Sequence, residues 1–200
     1  MTLNKEIVRK FEKFEQRCFK LIIEAYQIST TEKVIQLNWN ENDISYILYE
    51  KIDENPKRVQ FKIHIAPEFR IPKDVPKIKG FADKLPRIDL RMSNFAKKQE
   101  FKYYFEAKRL KEKSSELKRA YIKEGMDRFI SEKYPMGCML GYLLEGKVDN
   151  TRMGINSLLE KDGRNTEILT AKSHNLHKEY YESEHKTGIL KHLIFDFTKI

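Results

Sequence analysis

Apolar positions near the start of the chain recur at intervals of three and four residues, and Lys, Arg and Glu fill the positions between them. This period predicts one long amphipathic helix over residues 4–28. The apolar stripe consists of Ile7, Phe11, Phe14, Cys18, Leu21 and Ala25. It either packs against the rest of the domain or forms a dimer seam, although the run is short for a coiled coil.

A second helix is predicted from Asn40 to about Ile52, because Asn40 suits an N-cap and Asp43 follows in the first turn. Residues 58–66 (RVQFKIHIA) alternate apolar and polar side chains and predict a first strand. Prolines and Gly80 then predict a loop. It carries Lys73, Lys77 and Lys79, which either contact backbone phosphates or are simply solvated.

Two short apolar runs follow the loop. Ile88-Asp89-Leu90 contains one acidic residue, and Phe101–Phe105 is followed by Glu106-Ala107-Lys108. A polar connection separates the runs, so they predict two antiparallel strands. Because side chains alternate across a strand, Glu106 and Lys108 share a face, and a neighbouring strand can bring Asp89 onto it.

Two carboxylates and a lysine on one face of a sheet suit metal-assisted hydrolysis. Carboxylate oxygens bind hard cations such as Mg²⁺, and a metal with a lysine can activate water for attack on phosphorus. The Glu-x-Lys pattern begins at Glu100, Glu106, Glu116, Glu145 and Glu184. Only the Glu106 copy ends an aromatic strand and has an Asp in an apolar strand upstream; the alternative is a surface ion pair.

The second half of the chain predicts a helix over residues 115–132, in which Gly125 indicates close packing. Residues 138–144 (CMLGYLL) predict a strand covered on both faces. Strand, helix and strand together predict a right-handed crossover and a parallel pair. A further helix is predicted over residues 149–161 and a last strand over 189–197.

Residues 162–188 are polar, contain three histidines and have no strong periodicity. His174-Asn175-Leu176-His177 has the residue types of a zinc or His-Asn-His site. Zinc needs two more ligands, and no Cys pair supplies them. The following segment, Tyr181 to Phe197, is interpreted as a structural polar network.

Composition narrows the class of protein. The chain has 200 residues, 40% of them hydrophobic, and a net charge of +9, which predicts one domain and favours a polyanionic partner. Cys18 and Cys138 lie far apart in apolar settings and predict free buried thiols. No run of 18 apolar residues and no signal peptide is visible, so we expect a cytoplasmic protein without a membrane span.

Asp89 and Glu106-x-Lys108 resemble the PD-(D/E)xK signature of the restriction-endonuclease-like nucleases, over roughly residues 38–145. The pattern is degenerate, since Ile88 precedes Asp89 and Pro86 lies three positions upstream. The resemblance implies an α/β fold with an α-β-β-β-α-β core and a mixed central sheet flanked by helices. The expected single domain, 1–200, has an N-terminal helix (1–30), the catalytic core (38–145) and a C-terminal extension (146–200) that ends in a strand.

The resemblance also implies a Mg²⁺- or Mn²⁺-dependent DNA endonuclease, with Asp89, Glu106 and Lys108 catalytic and Glu41 completing the metal site. Glu41 equally suits the first turn of a helix for its charge alone. Expected nucleic-acid contacts are Lys73, Lys77, Lys79, Arg109 and Arg128. Arg128 either reaches a phosphate or pairs with a nearby acid.

A setting in defence against foreign DNA follows from the resemblance alone, and RNA is not excluded as a substrate. The chain is expected to act alone, as a homodimer, or with a partner subunit that supplies recognition. The alternative function is a non-catalytic nucleic-acid-binding or toxin-partner protein on the same scaffold.

Overall fold

A computed structural model describes residues 5–74, 76, 79–96, 99–131, 133–135 and 137–200. The described chain is a mixed α/β fold in which helices flank a seven-stranded sheet. The strands are β1 His64–Arg70, β2 Arg87–Ala96, β3 Gln99–Lys111, β4 Cys138–Glu145, β5 Thr170–Ala171, β6 Tyr180–His185 and β7 Gly188–Asp196. The α-helices are α1 Lys5–Thr31, α2 Glu41–Asp53, α3 Pro56–Phe61, α4 Ser115–Ala120, α5 Asp127–Ile130 and α6 Val148–Lys161.

The strand order across the sheet is β1-β2-β3-β4-β7-β6-β5. Strands β1, β2 and β3 form an antiparallel meander. Strand β4 pairs parallel with both β3 and β7, and β6 and β5 continue the sheet antiparallel from β7. Strand β3 is therefore the place where the sheet changes from antiparallel to parallel pairing.

Apolar side chains cover both faces of the sheet. Helices α1 and α2 bury one face around Phe105, Tyr142 and Phe195. The segments after β3 and helix α6 bury the other face around Leu110 and Ile194. Because β4 is covered on both sides, its sequence is nearly continuous in apolar residues.

Several predicted elements are confirmed with small changes at their ends. The amphipathic helix is α1, and its stripe from Phe14 to Ala25 packs in the core beside the sheet, whereas Phe11 is 37% exposed. Helix α2 begins after Asn40, whose side-chain oxygen accepts the Asp43 backbone N–H. The Asp43 carboxylate in turn accepts the Asn40 backbone N–H, which completes a capping box. The parallel β3–β4 pair, helix α6 and strand β7 are also as predicted.

The strand predicted over residues 58–66 was wrong. Residues Pro56–Phe61 form helix α3, with Asn55 as its N-cap and Pro56 at a position where a missing N–H costs nothing. Lys62 has a φ of 57° and ends the helix, so β1 begins only at His64. Val59, predicted on the buried face of the strand, is 67% exposed.

Strands β2 and β3 are longer than the apolar runs predicted. They pair from Leu90–Phe105 to Ala96–Gln99, so most of the polar connection belongs to the strands; Lys97 and Lys98 lie outside the described residues. Glu106 and Lys108 lie within β3, which continues to Lys111. The polar stretch 162–188 contains strands β5 and β6, which its weak periodicity did not indicate.

The predicted helix over residues 115–132 is helical but not uniform. Helix α4 is followed by a π-helical segment, Tyr121–Met126, and then by α5. Gly125 lies in the π-helical segment, and a Cβ there would be 2.2 Å from the Met139 Cε atom. The close packing predicted for Gly125 is therefore present, against strand β4.

Cys18 and Cys138 are both buried and unbridged, as predicted. Among the helices of the described chain, none combines the length and the apolar character needed to cross a bilayer.

Candidate active site at the divergence of strands β2 and β3

Asp89 lies where strands β2 and β3 stop pairing. The last backbone pair between the two strands is Leu90 with Phe105. One residue further on, the Asp89 carboxylate accepts the backbone N–H of Ala107, with an Oδ2–N distance of 2.6 Å. The side chain of Asp89 thus takes over a bond that a continuing strand would make, and this fixes the carboxylate beside Glu106 and Lys108.

Glu106 is 1% exposed, and its two carboxylate oxygens differ in their partners. Oε1 accepts bonds from Arg128 Nη1 at 2.7 Å and from Lys108 Nζ at 3.2 Å. Oε2 is buried and has no hydrogen-bond partner. A buried carboxylate oxygen without a donor is costly, because desolvation is not offset by a new bond.

The Lys108 ammonium group contacts oxygen atoms of three residues. Its ammonium group lies 2.7 Å from Glu41 Oε1 and 2.8 Å from the Ala107 carbonyl oxygen, in addition to Glu106. Although burial lowers the pKa of Lys108, Glu106 and Glu41 more than offset this and raise it above its usual value. Lys108 is therefore a fixed cation, and it is not suited to accept a proton from water.

Glu41 is brought to the sheet by the first turn of α2. While Oε1 binds Lys108, Oε2 accepts the backbone N–H of Arg109 at 3.3 Å. The expected approach of Glu41 to Glu106 and Lys108 is thus observed, but both of its oxygens are engaged.

Burial raises the pKa of both β-strand acids. The pKa of Asp89 rises to about 6, chiefly through burial, against the opposing bond from Ala107 and the charge of Lys108. Burial and the charge of Asp89 raise the pKa of Glu106 to about 8, with Lys108 and Arg128 opposing the rise. The cluster therefore disfavours a full set of ionised carboxylates and would gain from additional positive charge.

Two cavities reach this cluster from opposite sides of the N-terminus of α2. One, of about 300 Å³, exposes Lys108 and Glu41 together with Arg109 and Glu124. The other, of about 350 Å³, is lined by Asp89, Glu68 and Asp43. The cavity beside Asp89 has an acidic wall, so a phosphodiester there would be repelled unless a cation accompanied it, whereas the cavity beside Lys108 is lined by two acids and two cations.

The predicted phosphate-binding residues are placed differently from one another. Arg128 pairs with Glu106 and also lies 3.2 Å from the Tyr134 hydroxyl, so the acid-pairing alternative is observed. Arg109 Nη1 donates to the Trp39 carbonyl. Lys73 lines a cavity with Tyr134, Lys79 is exposed, and Lys77 lies outside the described residues.

Tyr134 was not singled out from the sequence. Its hydroxyl donates to the Arg87 carbonyl oxygen and thereby anchors Arg128 to the start of β2. An aromatic residue in a turn before a proline gives no signal of such a contact.

The histidine-containing segment forms a polar network that is separate from the Asp89–Glu106–Lys108 cluster. His177 Nε2 bonds the Ile194 carbonyl oxygen, and the His174 ring packs against Phe19 and Tyr180. A second chain of contacts joins Tyr121 to His192 (2.9 Å), His192 to Ser183 (2.8 Å), Ser183 to His185 (2.6 Å) and His185 to Glu167 (2.9 Å). The structural interpretation of the Tyr181–Phe197 segment agrees with these bonds.

Within the described ranges, no group of three or more His, Cys, Asp or Glu side chains is arranged to hold a metal ion. The oxygens that a hard cation prefers are nevertheless present in the Asp89–Glu106 cluster, where Lys108 neutralises part of their charge. Comparison with protein-family models, with curated proteins and with solved structures gave no match.

Proposed function

We propose that this chain is a metal-dependent nuclease that hydrolyses phosphodiester bonds in DNA at the Asp89–Glu106–Lys108 cluster. The observation that carries the proposal is Glu106, a buried carboxylate with one oxygen lacking any donor and a raised pKa, next to a second, half-buried acid, Asp89. Purely structural ion pairs are normally satisfied on both sides, because an orphaned charge costs stability. A divalent cation on Asp89 and the free oxygen of Glu106 would remove this cost.

The order of elements supports the same proposal. Helix α2, the β1–β2–β3 meander, the helical segments after β3 and strand β4 follow one another as in the α-β-β-β-α-β core of PD-(D/E)xK nucleases. The two acids lie on adjacent strands of the meander, and Lys108 shares the strand of Glu106. These features favour a restriction-endonuclease-like core.

Asp89 and Glu106 fit a hard cation through oxygen, and the Ala107 carbonyl lies beside them. When bound, such a cation would supply Lewis-acid activation of water and neutralise charge on a phosphoryl oxygen. Glu41 would hold the Lys108 ammonium group in place. Lys108, which stays protonated, would orient the attacking water or stabilise the negative charge that develops on the phosphate oxygens.

The test is incubation of the purified chain with circular and linear DNA in Mg²⁺, in Mn²⁺ and in chelator. We expect cleavage only with metal. Asp89→Asn should reduce it at least about 100-fold, the scale of losing one transition-state contact, while DNA binding without metal stays equal or tightens. Asp83→Asn, at an exposed aspartate paired with Arg70, is the matched control. Wild-type cleavage by folded Asp89→Asn protein would remove Asp89 from the mechanism.

DNA binding itself has a separate signature. About six phosphate contacts from Lys and Arg of residues 70–133 would give a log–log slope of affinity on salt near −5. We expect this slope with uncleaved DNA in chelator. A slope near zero would argue against any nucleic-acid function, catalytic or not.

The second candidate is a non-catalytic nucleic-acid-binding or partner-binding protein. It is favoured by the ion pairs of Lys108 and Arg128 with Glu106, which already neutralise much of the cluster. Titration with Mg²⁺ and Mn²⁺ separates the two candidates. DNA binding with the expected salt dependence, but without metal binding, would support the non-catalytic function.

A further inference from the structure

A separate cavity, of about 680 Å³, lies between helix α1, the end of α3 and the segment that leads into β6. Its volume is in the range of small-ligand sites. Its lining includes the cations Lys13, Arg17, Lys20 and Lys191 and the rings of Phe61 and His174.

This cavity is on the opposite face of the sheet from the carboxylate cluster. Phe19, another lining residue, packs against Tyr103 and Phe105. Side chains alternate along β3, so Glu106 and Lys108 point to the other face. A ligand in this cavity would therefore not contact the proposed nuclease site.

Helix α1 presents three cations to the cavity. Lys13, Arg17 and Lys20 are spaced four and three residues apart and so lie on one side of the helix. Among the described residues, no carboxylate lies within ion-pair distance of any of the three. Lys191 contributes a fourth cation from β7, and it pairs with Glu15 at 2.5 Å. The lining is strongly cationic and suits an anion.

Aromatic rings form part of the remaining walls, beside the polar side chains of Gln16, Ser173 and Asn175. The Arg17 guanidinium lies 5.0 Å from the centre of the Phe61 ring. The His174 ring lies 5.5 Å from Phe19 and 5.1 Å from Tyr180. Flat rings next to unpaired cations form a surface on which a heterocyclic base can stack while its phosphate is neutralised.

We propose that this cavity binds a nucleotide, with the phosphate held by Lys13, Arg17 and Lys20 and the base lying against Phe61 and His174. The combination of cations and aromatic rings in one cavity favours a nucleotide over other ligands. An inorganic anion would use the cations and leave the aromatic walls unused, and an uncharged aromatic would leave the cations unpaired. This site is independent of the nuclease function proposed above.

The test is calorimetric titration of the full chain in metal-free buffer with AMP, ATP, adenosine and tripolyphosphate; GMP, CMP and UMP then define the preferred base. We expect AMP and ATP to bind, adenosine at least about tenfold more weakly than AMP, and tripolyphosphate at least about tenfold more weakly than ATP. Equal affinities for tripolyphosphate and ATP would reduce the site to an anion site and overturn the proposal. So would the absence of binding at millimolar nucleotide.

Substitutions locate the ligand within the cavity. Arg17→Gln and Lys20→Gln should each weaken ATP binding about tenfold. Lys10→Gln is the matched control on the same helix, because Lys10 pairs with Glu6 outside the cavity. His174→Ala should weaken AMP and ATP and leave tripolyphosphate unchanged. Melting temperatures confirm that each variant is folded, and an equal loss in Lys10→Gln would overturn the assignment.

Asp89→Asn separates the two proposals. Nucleotide binding should be unchanged in this variant whether or not the wild type cleaves DNA. A parallel loss of nucleotide binding in Asp89→Asn would place the nucleotide at the carboxylate cluster and overturn the second site.

Discussion

Strand β3 contains two Glu-x-Lys sequences, Glu100–Lys102 and Glu106–Lys108. Both form ion pairs of similar length, 2.9 Å and 3.2 Å. Their surroundings differ: the Glu100 and Lys102 side chains are 27% and 41% exposed, whereas those of Glu106 and Lys108 are 2% and 7% exposed. Only the buried pair is joined by Asp89, Glu41 and Arg128.

The difference shows that burial, and not the Glu-x-Lys sequence, gives a carboxylate of this strand a raised pKa and a tendency to bind a cation. Water screens Glu100 and Lys102, so their pairing contributes little energy. Glu106 has lost water and keeps an unpartnered oxygen, so its pKa rises and a cation would be bound favourably. Four experiments, in order of decreasing effect, test the surroundings of the buried pair, and three of them use the exposed pair as the reference.

Lys108→Ala should reduce metal-dependent cleavage at least about 100-fold, equivalent to roughly 2.7 kcal/mol of barrier. The matched change Lys102→Ala should leave the rate within about twofold. Metal affinity should be retained in Lys108→Ala, because an ammonium group is not a metal ligand. Rates are measured with saturating Mg²⁺ on one DNA substrate. Cleavage by Lys108→Ala within about tenfold of wild type would show that Lys108 is not catalytic.

Gly125→Ala should destabilise the fold by about 1–3 kcal/mol, the usual range for overpacking. The added Cβ would meet the Met139 Cε atom at 2.2 Å and lie 3.5 Å from Lys108 Cγ. The comparison is Gly154→Ala, at another helical glycine, where the nearest atom is the Lys118 Nζ at 2.8 Å, in a side chain that bonds the Glu112 carbonyl oxygen. Urea unfolding measures both. Equal stability of the two variants would mean that the packing behind Lys108 is loose.

Glu106→Gln should flatten the dependence of stability on pH in metal-free buffer. Because the pKa of Glu106 is raised to about 8, the folded state holds a proton that the unfolded state releases near its usual pKa. The wild type should therefore lose stability as pH rises from about 5 to 8, by at least about 1.4 kcal/mol more than the variant. Glu100→Gln should keep the wild-type slope. Parallel slopes for wild type and Glu106→Gln would refute the raised pKa.

The smallest effect is the coupling within the exposed pair. A double-mutant cycle on Glu100 and Lys102 should give about 0.2–1 kcal/mol, and the value should fall toward zero at 1 M salt. The same cycle on Glu106 and Lys108 should give a larger coupling that salt changes less. Equal couplings in the two cycles would remove the contrast between the pairs.

The sequence predicted the elements whose pattern is local and strong. The stripe of α1, the capping residues of α2 and the apolar run of β4 each specify one structure without reference to the rest of the chain. The strand predicted over residues 58–66 was wrong because apolar residues two positions apart, such as Val59 and Phe61, also occur in a short helix. Asn55-Pro56, just upstream, was the signal for the helix that was observed.

The candidate site was predicted in part. The pattern in β2 and β3 brought Asp89, Glu106 and Lys108 together, and Glu41 was added by resemblance. The sequence could not show that Lys108 bonds Glu41 and Glu106 at once, or that Tyr134 anchors Arg128. Such contacts depend on how α2 and α5 sit on the sheet. Strand β6 was missed because its polar residues bond one another inside the fold, and β5 because it is only two residues long.

The buried chain from Tyr121 to Glu167 has one further consequence, which concerns the direction of its hydrogens. The Glu167 carboxylate only accepts, so His185 places its proton on Nδ1, and its bare Nε2 must receive the Ser183 hydroxyl hydrogen. Ser183 then accepts from His192 Nε2, and His192 Nδ1 accepts from Tyr121. Burial lowers the pKa of both histidines, which keeps them neutral in this arrangement. Every O–H and N–H donor in this chain of hydrogen bonds therefore points from Tyr121 toward Glu167, and no single hydrogen bond can reverse its direction unless the others reverse with it.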